Sequence, residues 1–155
     1  MPAPLTVRAP LAGVVVRLAD VPDPVFAAEL VGPGLAIDPT GSGVVEAAAP
    51  IDGTVVKIHP HAFVVAAPDG RAVLVHLGLD TVELRGAGFE VLVAEGVPVG
   101  AGHVLVRWSP SDVAAGGRSP VCPVVALGAD GADLAWACAV GTRVDAGDAL
   151  LTWTH

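Results

Sequence analysis

The sequence predicts an all-β protein: an antiparallel β-sandwich or barrel built from a duplicated motif, with only short helical turns. Three observations predict it. The composition is 53% hydrophobic with 19 Gly and 14 Pro, and valine and alanine supply the apolar mass, which suits many short strands and tight turns. The stretch "APLAGVVV" over Ala9–Val16 is nearly rewritten as "APIDGTVV" over Ala49–Val56. Finally, "VPVGAGHVLV" (97–106) and "TRVDAGDALL" (142–151) share the pattern V-x-x-G-x-x-L-[VL]. Two motifs, each present twice, mark a duplicated β unit.

Each element has a local cause. Proline lacks an amide hydrogen, so each Ala-Pro suits the entrance to a strand rather than its middle. The glycine that follows relaxes a turn, and the valines then prefer a pleated strand. Alternation and Gly, Pro and Asp punctuation give about a dozen short strands. Among them are Val14–Leu18, Thr54–Ile58, Phe63–Ala67, Ala72–Leu77, Val104–Trp108 and Ala149–Trp153. Helical turns are expected only around Val25–Leu30, Asp80–Leu84 and Ser111–Ala115, and a mobile loop over 109–120.

Length and charge then narrow the function. A chain of 155 residues is read as one domain, 1–155, long enough to bury a core. No apolar run approaches the roughly 18 residues that span a bilayer, and "MPAPLTVRAP" lacks the pattern of a secretory signal. A soluble, cytoplasmic protein is the expectation. Cys122 and Cys138 form no CxxC and read as small core residues. A net charge of −8 argues against nucleic acid. Lys57, the single lysine, follows Val-Val rather than a glycine-rich loop, which excludes a phosphate-cradling P-loop. Ser42 in "TGSG" lacks the spacing of a nucleophile elbow.

Chemistry concentrates in the histidines. His155 is terminal and His103 lies in a repeat turn; both read as surface residues. "KIHPHAF" holds His59 and His61, and "AVLVHLGLDTVEL" holds His76, which interrupts an apolar strand. Alternation puts Ala72, Leu74 and His76 on one face. The Pro-Asp-Gly turn in "AAPDGR" predicts a hairpin that folds His61 back toward His76. Taken singly, each is more often a satisfied core histidine; converging imidazoles suit either zinc binding or nucleophilic catalysis.

With these strings on the page, the chain resembles a known family. The run "APLAGVVV…DVPDPVFAAELVGPGLAIDPTG…APIDGTVVKIHPHAF…LVHLGLDTVELRGAGFEVLVAEGVPVGAG" resembles the glucose-class IIA component of the bacterial phosphoenolpyruvate-dependent sugar phosphotransferase system, from about Val7 to Thr152. The resemblance implies a duplicated β-hybrid fold. It implies that His76 accepts a phosphoryl group from phospho-HPr and passes it to the IIB domain of a sugar permease. His61 would hydrogen-bond the phosphoryl oxygens, and Gly78 would fix the His76 tautomer. Phe26, Val31, Leu74 and Val82 match an apolar docking ring, with Asp23 and Asp80 at its acidic rim. No cofactor is required by this reading, and the membrane is touched only through the permease.

There are departures and a rival. Where enteric members carry a threonine that contacts the second histidine, this chain has His59. The amphipathic N-terminal segment some members use at membranes is missing too. A biotinyl or lipoyl carrier would need its lysine at a hairpin tip, and Lys57 lies within a strand. The second reading is a zinc-dependent hydrolase using His59, His61, His76 and Asp80; zinc at the His61–His76 pair alone is also compatible with the phosphotransferase resemblance. The two hydrolase motifs, however, stand in reversed chain order here.

Overall fold

The computed structural model describes residues 3–154; the His155 reading lies outside them. Fourteen strands form three sheets, and every pairing is antiparallel. In order they are β1 (Leu5–Arg8), β2 (Gly13–Arg17), β3 (Gly34–Pro39), β4 (Val45–Ala48), β5 (Gly53–His59), β6 (Ala62–Ala66) and β7 (Ala72–His76). There follow β8 (Phe89–Val91), β9 (Pro98–Val99), β10 (Val104–Trp108), β11 (Cys122–Ala126), β12 (Leu134–Trp136), β13 (Arg143–Val144) and β14 (Ala149–Trp153). The largest sheet runs β13-β2-β3-β11-β7-β6-β5-β9, and β1-β14-β12 and β4-β10-β8 complete the β-sandwich. Among the described residues, no helix is long and apolar enough to cross a membrane.

The repeats are structurally equivalent, and they clasp one another. The Arg8 amide donates to the Pro50 carbonyl and the Ala48 amide to the Pro10 carbonyl, both at 2.9 Å. The Gly147 amide donates to Ala9 and the Gly102 amide to Ala49, again both at 2.9 Å. Each V-x-x-G turn thus closes on its own Ala-Pro turn. The duplication read from sequence is a pseudo-twofold frame.

Alternation divides the large sheet into two faces. Val15, Leu35, Ile37, Phe63, Val73, Val75 and Val124 point into the main core, with Leu105, Trp108 and Leu151 from the smaller sheets. Ala36, Leu74 and Val125 point the other way, into a smaller cluster with Leu18, Val21, Phe26 and Leu79. That outer cluster is where His76 emerges.

The short helices differ slightly from expectation. Helix α1 spans Pro24–Ala27 and α2 spans Pro110–Ala115, each with proline in its first turn. Asp23 caps the first and Ser109 the second, which moves the starts to Pro24 and Pro110, just ahead of the expected Val25 and Ser111. The segment 109–120, read as a loop, is therefore partly helical. Leu18 leaves β2 to begin a 3-10 turn, Leu18–Asp20, and Gly131–Asp133 forms another; neither was expected. A third 3-10 turn covers Thr81–Leu84.

Candidate functional site

His76 ends β7, where its strand neighbour is Ala62 on β6. Beyond it the chain turns sharply. Gly78 sits at φ +78°, and a Cβ there would stand 2.8 Å from Thr81 Cγ2 and 3.0 Å from the Ser119 carbonyl oxygen. Only glycine fits that left-handed, crowded position. The buried Thr81 hydroxyl donates to the Leu77 carbonyl at 2.8 Å, and the Leu79 amide donates to Ser119 at 2.9 Å. So braced, the Gly78 carbonyl accepts from His76 Nδ1 at 2.5 Å. A carbonyl can only accept, so the proton sits on Nδ1 and Nε2 keeps its lone pair.

His61 is the second residue of the tight Pro60-His61 turn joining β5 to β6, and its carbonyl accepts from the Leu77 amide at 2.7 Å. Its ring centroid lies 5.3 Å from that of His76. His59, the last residue of β5, stacks on the His61 ring at 5.6 Å and 17°. Phe26 meets His76 edge-on at 5.3 Å. Burial pushes the His76 pKa below the ordinary histidine value, opposed by the Gly78 hydrogen bond and by the charges of Asp23 and Asp80. Burial also lowers that of His61, helped by the positive charges His76 and His59 would carry. Both rings therefore favour the neutral form near pH 7.

The structure brings some of the ring residues together and not others. Phe26, Val31 and Leu74 share the outer apolar cluster. Val82 does not join it: it stands 58% exposed on the 3-10 turn. Asp80 is exposed, in a left-handed conformation at φ 58°. Asp23 spends its carboxylate on the amides of Val25 and Phe26. Sequence reasoning missed Val25, within the helix that carries Phe26, and Leu30, just beyond it, which are 43% and 72% exposed. It also missed Ser119, whose carbonyl braces the turn after His76.

The comparisons decide the family. Residues 5–132 match the family of the phosphoenolpyruvate-dependent sugar phosphotransferase system, EIIA 1. The chain is 40% identical over 130 residues to a glucose-specific EIIA component of Bacillus cereus, covering 83% of this chain and 77% of that one. It is 42% identical over 128 residues to a glucose-specific EIIA component of Staphylococcus aureus, covering 81% and 75%. Glucose permease IIA from Mycoplasma capricolum superposes with a TM-score of 0.85 at 33% identity, covering 97% and 96%. The chain belongs to the EIIA 1 family.

As an EIIA component it is a phosphotransferase of the sugar phosphotransferase system. Phosphoryl transfer demands an in-line nucleophile and donors for the equatorial oxygens more than covalent assistance. Neither cysteine competes as a nucleophile: Cys122 is fully buried and its thiol is pushed up to about 12, and Cys138 is also raised by burial. Among the described residues, no group of three or more His, Cys, Asp or Glu side chains could hold a metal ion. The hydrolase reading gains no support from this EIIA.

Proposed function

We propose that His76 carries the phosphoryl group and that His61 stabilises its transfer. The observation that carries this reading is the 2.5 Å bond from His76 Nδ1 to the Gly78 carbonyl. It holds the ring in the tautomer whose free Nε2 is the nucleophile, and burial keeps that nitrogen unprotonated near neutral pH. Nε2 attacks phosphorus on phospho-HPr; the N–P bond to the donor imidazole breaks and its electron pair returns to that ring. His61, 5.3 Å away between ring centroids, donates N–H to oxygens that gain charge along the path. The step needs no cofactor, and zinc on His61 and His76 would require further ligands from outside this cluster.

The same reading gives the rest of the site its work. Phe26, Val31 and Leu74 offer an apolar floor for docking, with the exposed Val82 at its edge and Asp23 and Asp80 as an acidic rim for a basic partner. HPr would dock here to donate and the IIB domain of the permease to accept, in turn. The chain would act as one domain, 1–155, on the cytoplasmic side of the permease. Intact mass after incubation with phosphoenolpyruvate, Enzyme I and HPr tests the assignment. Wild type is expected to gain one acid-labile phosphoryl group and His76→Ala none. A gain retained in His76→Ala would move the nucleophile elsewhere, and no gain in either would end the reading.

A further inference from the structure

We propose that His59 is a positioning residue for the transfer, holding the His61 ring by stacking on its outer face. The proposal rests on the roles given above to His76 and His61. Four rings stand in a continuous row: His59, His61, His76 and Phe26, at successive centroid separations of 5.6, 5.3 and 5.3 Å. One end of the row is buried and the other is exposed. Phe26 and the Gly78 carbonyl fix His76, whereas His61 sits on a turn, half-buried, with the exposed His59 ring stacked on it.

The turn builds this stack. His59 pairs with Ala62 across the hairpin, so His59 and His61 flank a single residue, Pro60. Its ring locks φ and leaves the two imidazoles a fixed separation. Pro60 in turn lies against Gly86, where a Cβ would approach its Cγ to 3.3 Å. The resulting interplanar angle of 17° is that of an offset stack. A donor N–H helps only if it stays aimed at the developing oxyanion, and a ring free to rotate loses that aim. The stack also has an electrostatic side, since a charge on His59 opposes a second one on His61. The ionisable groups facing the row are His59, His61 and His76, with Asp23 and Asp80 acting on His76.

The test uses the full chain, with His59→Ala removing the stack and His59→Phe keeping the ring face. Phosphoryl donation to IIB is followed for each, with the ring signals of His61 recorded by nitrogen-15 NMR. His59→Ala is expected to lower kcat about three- to tenfold, the range an aromatic pair is worth, with KM for IIB unchanged and the His61 signals shifted. His59→Phe is expected to recover most of the loss. A His59→Ala protein that donates at the wild-type rate overturns the proposal, and so does His59→Phe as impaired as His59→Ala. If wild type takes up no phosphoryl group, the His76 reading falls and this proposal with it. A phosphorylated wild type beside an unimpaired His59→Ala overturns this proposal alone.

Discussion

The hairpins β2–β3 and β5–β6 are one structure used twice, and they differ in two places: a register shift between Val55 and Lys57 that only β5 carries, and the turns. Val14 pairs with Asp38 as Thr54 pairs with Ala66. A Cβ on Gly13 would lie 2.3 Å from the Asp38 oxygen, and one on Gly53 would lie 2.1 Å from that of Ala66. The equivalence extends to the middle of the sheet, where Val75 and Val124 face each other across β7 and β11. Carried one residue further, it makes Val125 the counterpart of His76. Yet one hairpin is closed by Pro60 and His61 alone, and the other by residues 18–33, which hold a 3-10 turn and the helix bearing Phe26. The shared frame supplies rigidity; the two unequal connections supply, from opposite sides, imidazoles and an apolar wall.

The largest effect should come from filling the close contact in each hairpin. Gly13→Ala and Gly53→Ala both press a methyl group into a strand carbonyl, and each should lose of order 3 kcal/mol, read from urea midpoints. The stability losses should be similar, because in each case the nearest contact is a strand carbonyl oxygen. The folded fraction should not behave alike: Gly53→Ala should slow phosphoryl transfer more, since its hairpin ends in His59 and His61. Equal damage to transfer from Gly13→Ala would break the division of labour drawn above.

A smaller loss should follow from Phe26→Ala. Phe26 is 8% exposed and packs with Leu18, Val21 and Leu79 while touching the His76 ring. About 2–3 kcal/mol is expected, under the usual range for a phenylalanine because this cluster is thin and open at its edge. Val25→Ala is the control; at 43% exposure it should stay within about 0.5 kcal/mol. If both variants weaken phospho-HPr docking equally, measured as KM, then the wall is a docking surface independent of its burial.

The same contrast explains what could be read from sequence. Hairpins are local, so the Pro-Asp-Gly turn and the parity of Leu74 with His76 were legible, and β10 and β14 have the bounds expected of them. The pairing of β7 with β11 joins distant segments, and no periodicity announces it. Only the resemblance places Val82 in the apolar ring; Asp80 and Arg85 both adopt left-handed conformations, and the exposure this gives Val82 is announced by no spacing. The role of His59 stays open in the sequence for a similar reason. Strand alternation ends at Pro60, so nothing in the spacing states that the two flanking rings stack.

Asp23 gives a smaller effect than Phe26 and joins the wall to the chemistry. Its carboxylate accepts from Val25 and Phe26 at 2.9 and 3.4 Å, capping the helix, and its charge raises the pKa of His76 against the stronger pull of burial. Asp23→Ala should cost about 1 kcal/mol through the cap, whereas Asp23→Asn keeps an equally good cap. Both remove the charge, so both should move the His76 NMR midpoint further down. The sign for stability follows. With His76 titrating below its unfolded value of about 6.5, its neutral burial stabilises fully above that pH, and the contribution is lost as pH falls from the unfolded pKa toward the folded one. Removing the Asp23 charge should widen this window on its acid side in both variants alike. A midpoint that moves in Asp23→Ala but not in Asp23→Asn would assign the effect to the displaced helix instead of the charge.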